Sequence, residues 1–114
     1  MSFTSKGVDV VVAIGETISN HVYADGNYEG AYGIGILAPA TLPETGTIEV
    51  TDGVLANDAT NVWRTLQDDT PADIAAPLAG KARMYIRLPF FNGFRIKLGA
   101  TAAARTFNTS YTSD

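Results

Sequence analysis

The chain has 114 residues, 46% of them hydrophobic and 18% charged, with a net charge of −4 and no cysteine. That balance suits one domain with a single core, is the opposite of a disordered chain, and excludes disulfides and thiolate-metal sites. Net negative charge argues against nucleic acid as a partner, and no run approaches the roughly 18 apolar residues that a membrane helix needs.

Residues 1–6 read as a short N-terminal arm. The apolar run Val8–Ile14 is broken by Asp9, so it is not a signal-peptide core, and synthesis without Sec export is expected. Val8, Val10, Val12 and Ile14 alternate with Asp9, Val11 and Ala13, the period of a strand with one strongly apolar face. Gly15-Glu16 turns the chain, and Thr17–Tyr23 alternates less decisively as a second strand. Ala24-Asp25-Gly26-Asn27 is a turn, because Asp, Gly and Asn tolerate positive φ cheaply. Tyr28–Leu37 is a third strand whose internal glycines predict a bulge or a close backbone approach. Ala38–Glu44 carries two prolines and reads as a loop; Thr45–Thr51 is a fourth strand, closed by Asp52-Gly53.

Val54–Asn61 reads as a loop, and Val62–Leu66 as a short fifth strand with the only tryptophan, Trp63. Gln67–Gly80 is irregular, with one helical turn expected at Asp73–Ala76 after an N-capping Thr70 and a Pro71, and stopped by Pro77. The last third alternates almost without a break. Met84, Ile86 and Leu88 share one parity, with Arg83, Tyr85 and Arg87 on the other. After the connector Pro89–Gly93, Phe94, Ile96 and Leu98 alternate with Arg95 and Lys97. After Gly99–Ala104, Arg105, Phe107, Thr109 and Tyr111 alternate with Thr106, Asn108 and Ser110, before a tail at 112–114. Eight short strands and no convincing helix predict an all-β domain. The expected form is an eight-stranded antiparallel β-sandwich of jelly-roll type, with an immunoglobulin-like sandwich as runner-up that lacks its Cys…Trp…Cys spacing.

Chemistry is sparse. His21 is the sole histidine and has no second metal ligand at a recognised spacing. No nucleophile elbow, P-loop, dinucleotide or calcium-loop pattern occurs, and the adjacent Asp68 and Asp69 are badly placed for a glycosidase pair. No catalytic, cofactor or metal residue is assigned, and the chain reads as a non-enzyme. Tyr23, Tyr28, Tyr32, Trp63 and Tyr85 raise a carbohydrate platform, but no acidic or amide cluster accompanies the rings in sequence, so packing is favoured. Charge is uneven: residues 1–63 hold only Lys6 against eight acids, and residues 64–114 hold seven basic residues against four acids. In a compact fold the halves interleave, so ordinary solvated faces are the favoured reading, with two complementary docking patches as the alternative.

Several segments occur together in a telling order: Gly15-Glu16-Thr17-Ile18-Ser19-Asn20, Gly33–Ala40, Thr47–Val50, Trp63–Leu66, Phe91–Leu98 and Arg105-Thr106-Phe107. Over roughly residues 8 to 111 the chain resembles the small head-decoration, or cement, proteins of tailed bacteriophages. That resemblance implies a jelly-roll virion protein on the outer surface of the capsid, made in the bacterial cytoplasm. Its partners would be the major capsid protein and itself, as a dimer or trimer at a local symmetry axis, with no cofactor, nucleic acid or membrane. A carbohydrate-binding module is the alternative. The outward parity Arg83, Arg87, Arg95 and Lys97, with Trp63, Phe90, Phe91 and the polar tail Asn108–Asp114, Tyr111 included, is the expected contact set.

Overall fold

The computed structural model describes residues 4–24, 31–85 and 91–113, the side chains of 4–7, 31–32 and 111–113 excepted. Among these residues the chain is all-β, with a single 3-10 turn at Leu55–Asn57. The strands are β1 Thr4–Val12, β2 Val22–Tyr23, β3 Ala31–Leu37, β4 Gly46–Thr51, β5 Arg64–Thr65, β6 Ala82–Tyr85, β7 Gly93–Leu98 and β8 Arg105–Ser113. They form two four-stranded antiparallel sheets, in the orders β1-β8-β3-β6 and β2-β7-β4-β5. Pairing is nested: β1 lies against β8, β2 against β7, β3 against β6, and β4 against β5. The bulge foreseen in the glycine-rich third strand falls between Ala31 and Gly33. The turn at Asp25–Asn27, the start of that strand at 28–30 and the segment 86–90 lie outside the described residues.

The apolar parities of both sheets meet in one core. Val10, Val12, Ile34, Ile36 and Phe107 come from the first sheet; Val22, Ile48, Val50, Phe94, Ile96 and Leu98 come from the second. In β7 and β8 the alternation runs as read from the sequence. In β6 it is reversed: Met84 is 72% exposed, whereas Tyr85 is buried. Arg83 therefore lies on the core-side parity and not the outward one, and its guanidinium sits 5.6 Å from the Tyr85 ring. The cause is polar. Tyr85 Oη donates to Ala75 O at 2.7 Å, which satisfies a buried hydroxyl and leaves the ring to fill the core. Burial pushes the Tyr85 phenol up to about 12.

The second strand is also shorter than expected, because Thr17–Asn20 crosses between the sheets. Ser19 N–H donates to Ile96 O and Leu98 N–H to Thr17 O, which ties this segment to β7. Asn20 reaches the other way: its Oδ1 accepts from Val11 N–H at 2.7 Å, and its own N–H donates to Val11 O. It thereby occupies part of the free edge of β1, a position otherwise open to strand addition. Ile14, expected on the first strand, is instead exposed beside Gly15, whose φ of 79° turns the chain away.

The helical turn at Asp73–Ala76 does not form. Ile74 N–H donates to Leu66 O, Ile48 N–H to Ile74 O and Ala76 N–H to Gly46 O, so this segment takes over as partner of β4 where β5 ends. Ala76 is buried and Ile74 packs on the core, and that extended parity outweighs the local helical signal. Between β5 and this segment, Asp68 holds a tight loop. Its Oδ1 accepts from Thr70 N–H, Thr70 Oγ1–H and Ala72 N–H. These bonds, led by the Thr70 hydroxyl, hold its carboxyl at about 2. A depressed carboxylate stabilises the fold above its ordinary range near 4 and loses that contribution as pH falls towards 2. The urea midpoint of Asp68→Ala is thus expected below that of the native chain at neutral pH, with the gap closing under acid. A gap that persists at low pH would contradict this role.

Candidate functional site

The densest polar cluster lies on the outer face of the second sheet, where inward Val22, Phe94 and Val50 leave their neighbours His21, Tyr23, Arg95 and Glu49 pointing away from the core. Arg95 stands opposite Glu49, which in turn pairs with Thr65. Arg95 Nε donates to Glu49 Oε1 at 2.7 Å and Arg95 Nη1 to His21 Nε2 at 3.1 Å. His21 Nδ1 donates to Asp58 Oδ1 at 2.6 Å, so the bonds at its two nitrogens select the Nδ1–H tautomer. Tyr23 Oη also donates to Asp58 Oδ1, at 2.7 Å, and accepts from Asn61 Nδ2 at 2.7 Å.

Trp63 is stacked into this network. Its ring lies 4.5 Å from His21, 6.0 Å from Tyr23 in an edge-on contact, and 4.6 Å from the Arg95 guanidinium. Gly93 makes room beneath, since a Cβ there would stand 2.9 Å from the Tyr23 ring. The residues 54–63 are thus clamped over the sheet by Asp58, Asn61 and Trp63. Tyr23, and then His21, hold the Asp58 carboxyl below its ordinary range by hydrogen bonding. Burial first, and then the bond to Asp58, pushes the Tyr23 phenol up.

Chemically this is a carboxylate–imidazole–guanidinium–carboxylate chain whose members satisfy one another. Among the described residues no group of three or more His, Asp or Glu side chains is placed to hold a metal ion. As the only tryptophan, Trp63 reports on the clamp. Asp58→Ala, which removes the acceptor for both His21 and Tyr23, is expected to shift Trp63 emission to the red while leaving core burial intact. An unchanged spectrum would show that the aromatic contacts hold the segment alone.

The expected contact residues fall into separate places. Trp63 and Arg95 touch, and Lys97 is exposed two residues further along the same face of β7. Phe91 lines a hollow of about 220 Å³ at the end of the second sheet with Asp52 and with Val62 and Arg64, the residues on either side of Trp63 in sequence. Arg83 belongs to the edge strand of the other sheet, so one basic face combining it with Arg95 and Lys97 does not exist. Arg87 and Phe90 lie outside the described residues, as does the Tyr111 side chain; the Tyr111 backbone pairs with Lys6 and Ile34. Sequence reasoning missed Asp58 and Asn61 as partners of the rings. The only local signal was Gly93, a glycine at a strand start that marks close approach. An acidic and amide cluster does accompany Trp63 and Tyr23, contrary to the expectation from sequence.

No protein-family model matches this chain, and no curated protein or solved structure compared with it matches either.

Proposed function

We propose that this chain is a non-enzymatic docking protein of jelly-roll type. It binds the outer surface of a bacteriophage head, where it cements neighbouring major capsid subunits. The nested pairing supports the jelly-roll reading: β1–β8, β2–β7, β3–β6 and β4–β5 are the rungs of one long hairpin rolled into two sheets. One observation carries docking over chemistry. The organised polar groups bond to each other, whereas Leu37, Leu78, Met84, Val54, Leu55 and Val62 stay exposed. Cement proteins act by linkage, since a ligand that prefers the expanded shell stabilises it by mass action. Symmetric self-association at a local axis of the capsid, without nucleic acid, membrane or cofactor, completes the proposal.

The experiment is co-sedimentation with purified heads. Fixed stoichiometry, and heads that rupture at lower temperature when the protein is omitted, are expected. Heads that neither bind the protein nor gain stability from it would overturn the proposal.

A carbohydrate-binding module is the second reading, favoured by Asp58, Asn61 and Arg95 around Trp63. A glycan-array signal that disappears in Trp63→Ala, with no binding to heads, would replace the first reading by this one.

A further inference from the structure

We propose that the free edge of β6 is the contact strand of this protein, and that it takes up an extended segment of a partner polypeptide with acidic and apolar residues in alternation. The proposal rests on the docking reading above and gives it a place and a chemistry.

The open edge follows from the register. Among the described residues β6 pairs only with β3. Ala38 N–H donates to Lys81 O, one step before the pairs Leu37↔Ala82 and Ile36↔Arg83. Antiparallel ladders alternate between bonded and non-bonded pairs, so Lys81, Arg83 and Tyr85 direct their backbone groups to β3. Ala82 and Met84 direct theirs to the opposite side, where a further strand would lie.

That side is hollow. A cavity of about 290 Å³ runs between β6 and the segment 75–78, with Ala82 on its β6 side. Ala75, Ala76, Pro77 and the 59% exposed Leu78 line it, while Met84, 72% exposed, stands on the opposite parity of β6 from Arg83. A second hollow, of about 280 Å³, shares Ala82 and opens over Gly35 and Ser110 on the outer face of β3 and β8, bordered by Leu37. A strand laid along β6 would face the first hollow with alternate residues and Met84 with the others.

Charge names the occupant. In a chain of net charge −4, the only charged residues lining the first hollow among the described residues are Lys81 and Arg83. Arg83 spends one bond on Ala75 O at 3.3 Å, and Lys81 is exposed. Arg83 also favours the ionised form of Asp68, but the bonded oxygen of that carboxylate is already held by Thr70 and Ala72. An incoming carboxylate would meet two cations, and a basic segment would be repelled.

The test is an amide NMR titration of the full chain with a short acetylated and amidated peptide of alternating glutamate and valine, beside its lysine–valine counterpart. Shifts centred on the Ala82 and Met84 amides, weakened by salt and absent with the lysine peptide, are expected. The double variant Lys81→Glu, Arg83→Glu should bind the glutamate peptide about tenfold more weakly and prefer the lysine peptide. Should that variant fail to fold, the comparison of the two peptides on the native chain decides alone. Equal binding of both peptides, or shifts elsewhere, would overturn the proposal. So would Ala82 and Met84 amides protected only as protein concentration rises, which would assign the edge to a second copy. Heads that bind native chain and double variant alike would leave the docking reading standing and remove this edge from it.

Discussion

Replacing Arg105 by alanine is expected to lower the unfolding free energy by about 3–5 kcal/mol, because it strands a buried carboxylate. Arg105 Nε and Nη2 donate to Glu44 Oε1 and Oε2 at 2.7 and 3.1 Å. Both side chains are nearly buried, at 10% and 9% exposure. The pair fastens the proline-containing loop before β4 to the start of β8. Its attraction is largely offset by the desolvation of two charges, so the pair itself is a weak source of stability. Removing one partner is different, since Glu44 would keep its burial and lose its counter-charge. The double substitution Arg105→Met, Glu44→Leu should therefore recover most of the loss. Urea unfolding of Arg105→Met, Glu44→Leu and the double variant closes the cycle. A cost below about 1 kcal/mol for Arg105→Ala would mean that water reaches Glu44 freely.

Phe107→Ala, two residues further along β8, is expected to cost a similar ~3–5 kcal/mol by a wholly apolar route. Phe107 is fully buried and stands opposite Val10 in the β1–β8 ladder. Truncation removes most of a ring from the core and leaves a hole that pinned strands on either side cannot close. For a domain of this size a loss of ~4 kcal/mol lowers Tm by about 15 °C. The urea slope should stay constant, since unfolding exposes nearly the same surface. Because both residues share one face of β8, their combined effect should depart from additivity.

The strands were legible wherever period and burial agree. Phe94, Ile96 and Leu98 could be read directly, because a strand flanked by partners on both sides buries one full parity. On the edge strand β6 that logic failed. Apolar Met84 lies outside, and Tyr85 lies inside because a distant carbonyl, Ala75 O, receives its hydroxyl. Ile74 and Ala76 show the same limit: the local sequence offered a helical turn, and the unpaired edge of β4 decided otherwise. The polar cluster was harder still. Asp58 meets His21 across 37 residues and Arg95 meets His21 across 74, distances at which residue spacing carries no signal. Trp63 and Arg95 were both expected to make contacts, yet nothing in their neighbourhoods said that they would contact each other.

The nested pairing has a kinetic side. β1 and β8 are each nine residues long and pair along their whole length, yet most of the chain separates them. A ribosome adding about 5–20 residues per second would leave β1 without its partner for roughly 5–20 s. Among the described nested pairs, only β4 and β5, at the centre, find each other early. Until β8 emerges, the apolar parity of Val10 and Val12 has no sheet to join. Folding of this domain is thus a late, nearly simultaneous closure dominated by distant contacts, slow for its size. During synthesis, β1 is the strand most exposed to capture by other chains.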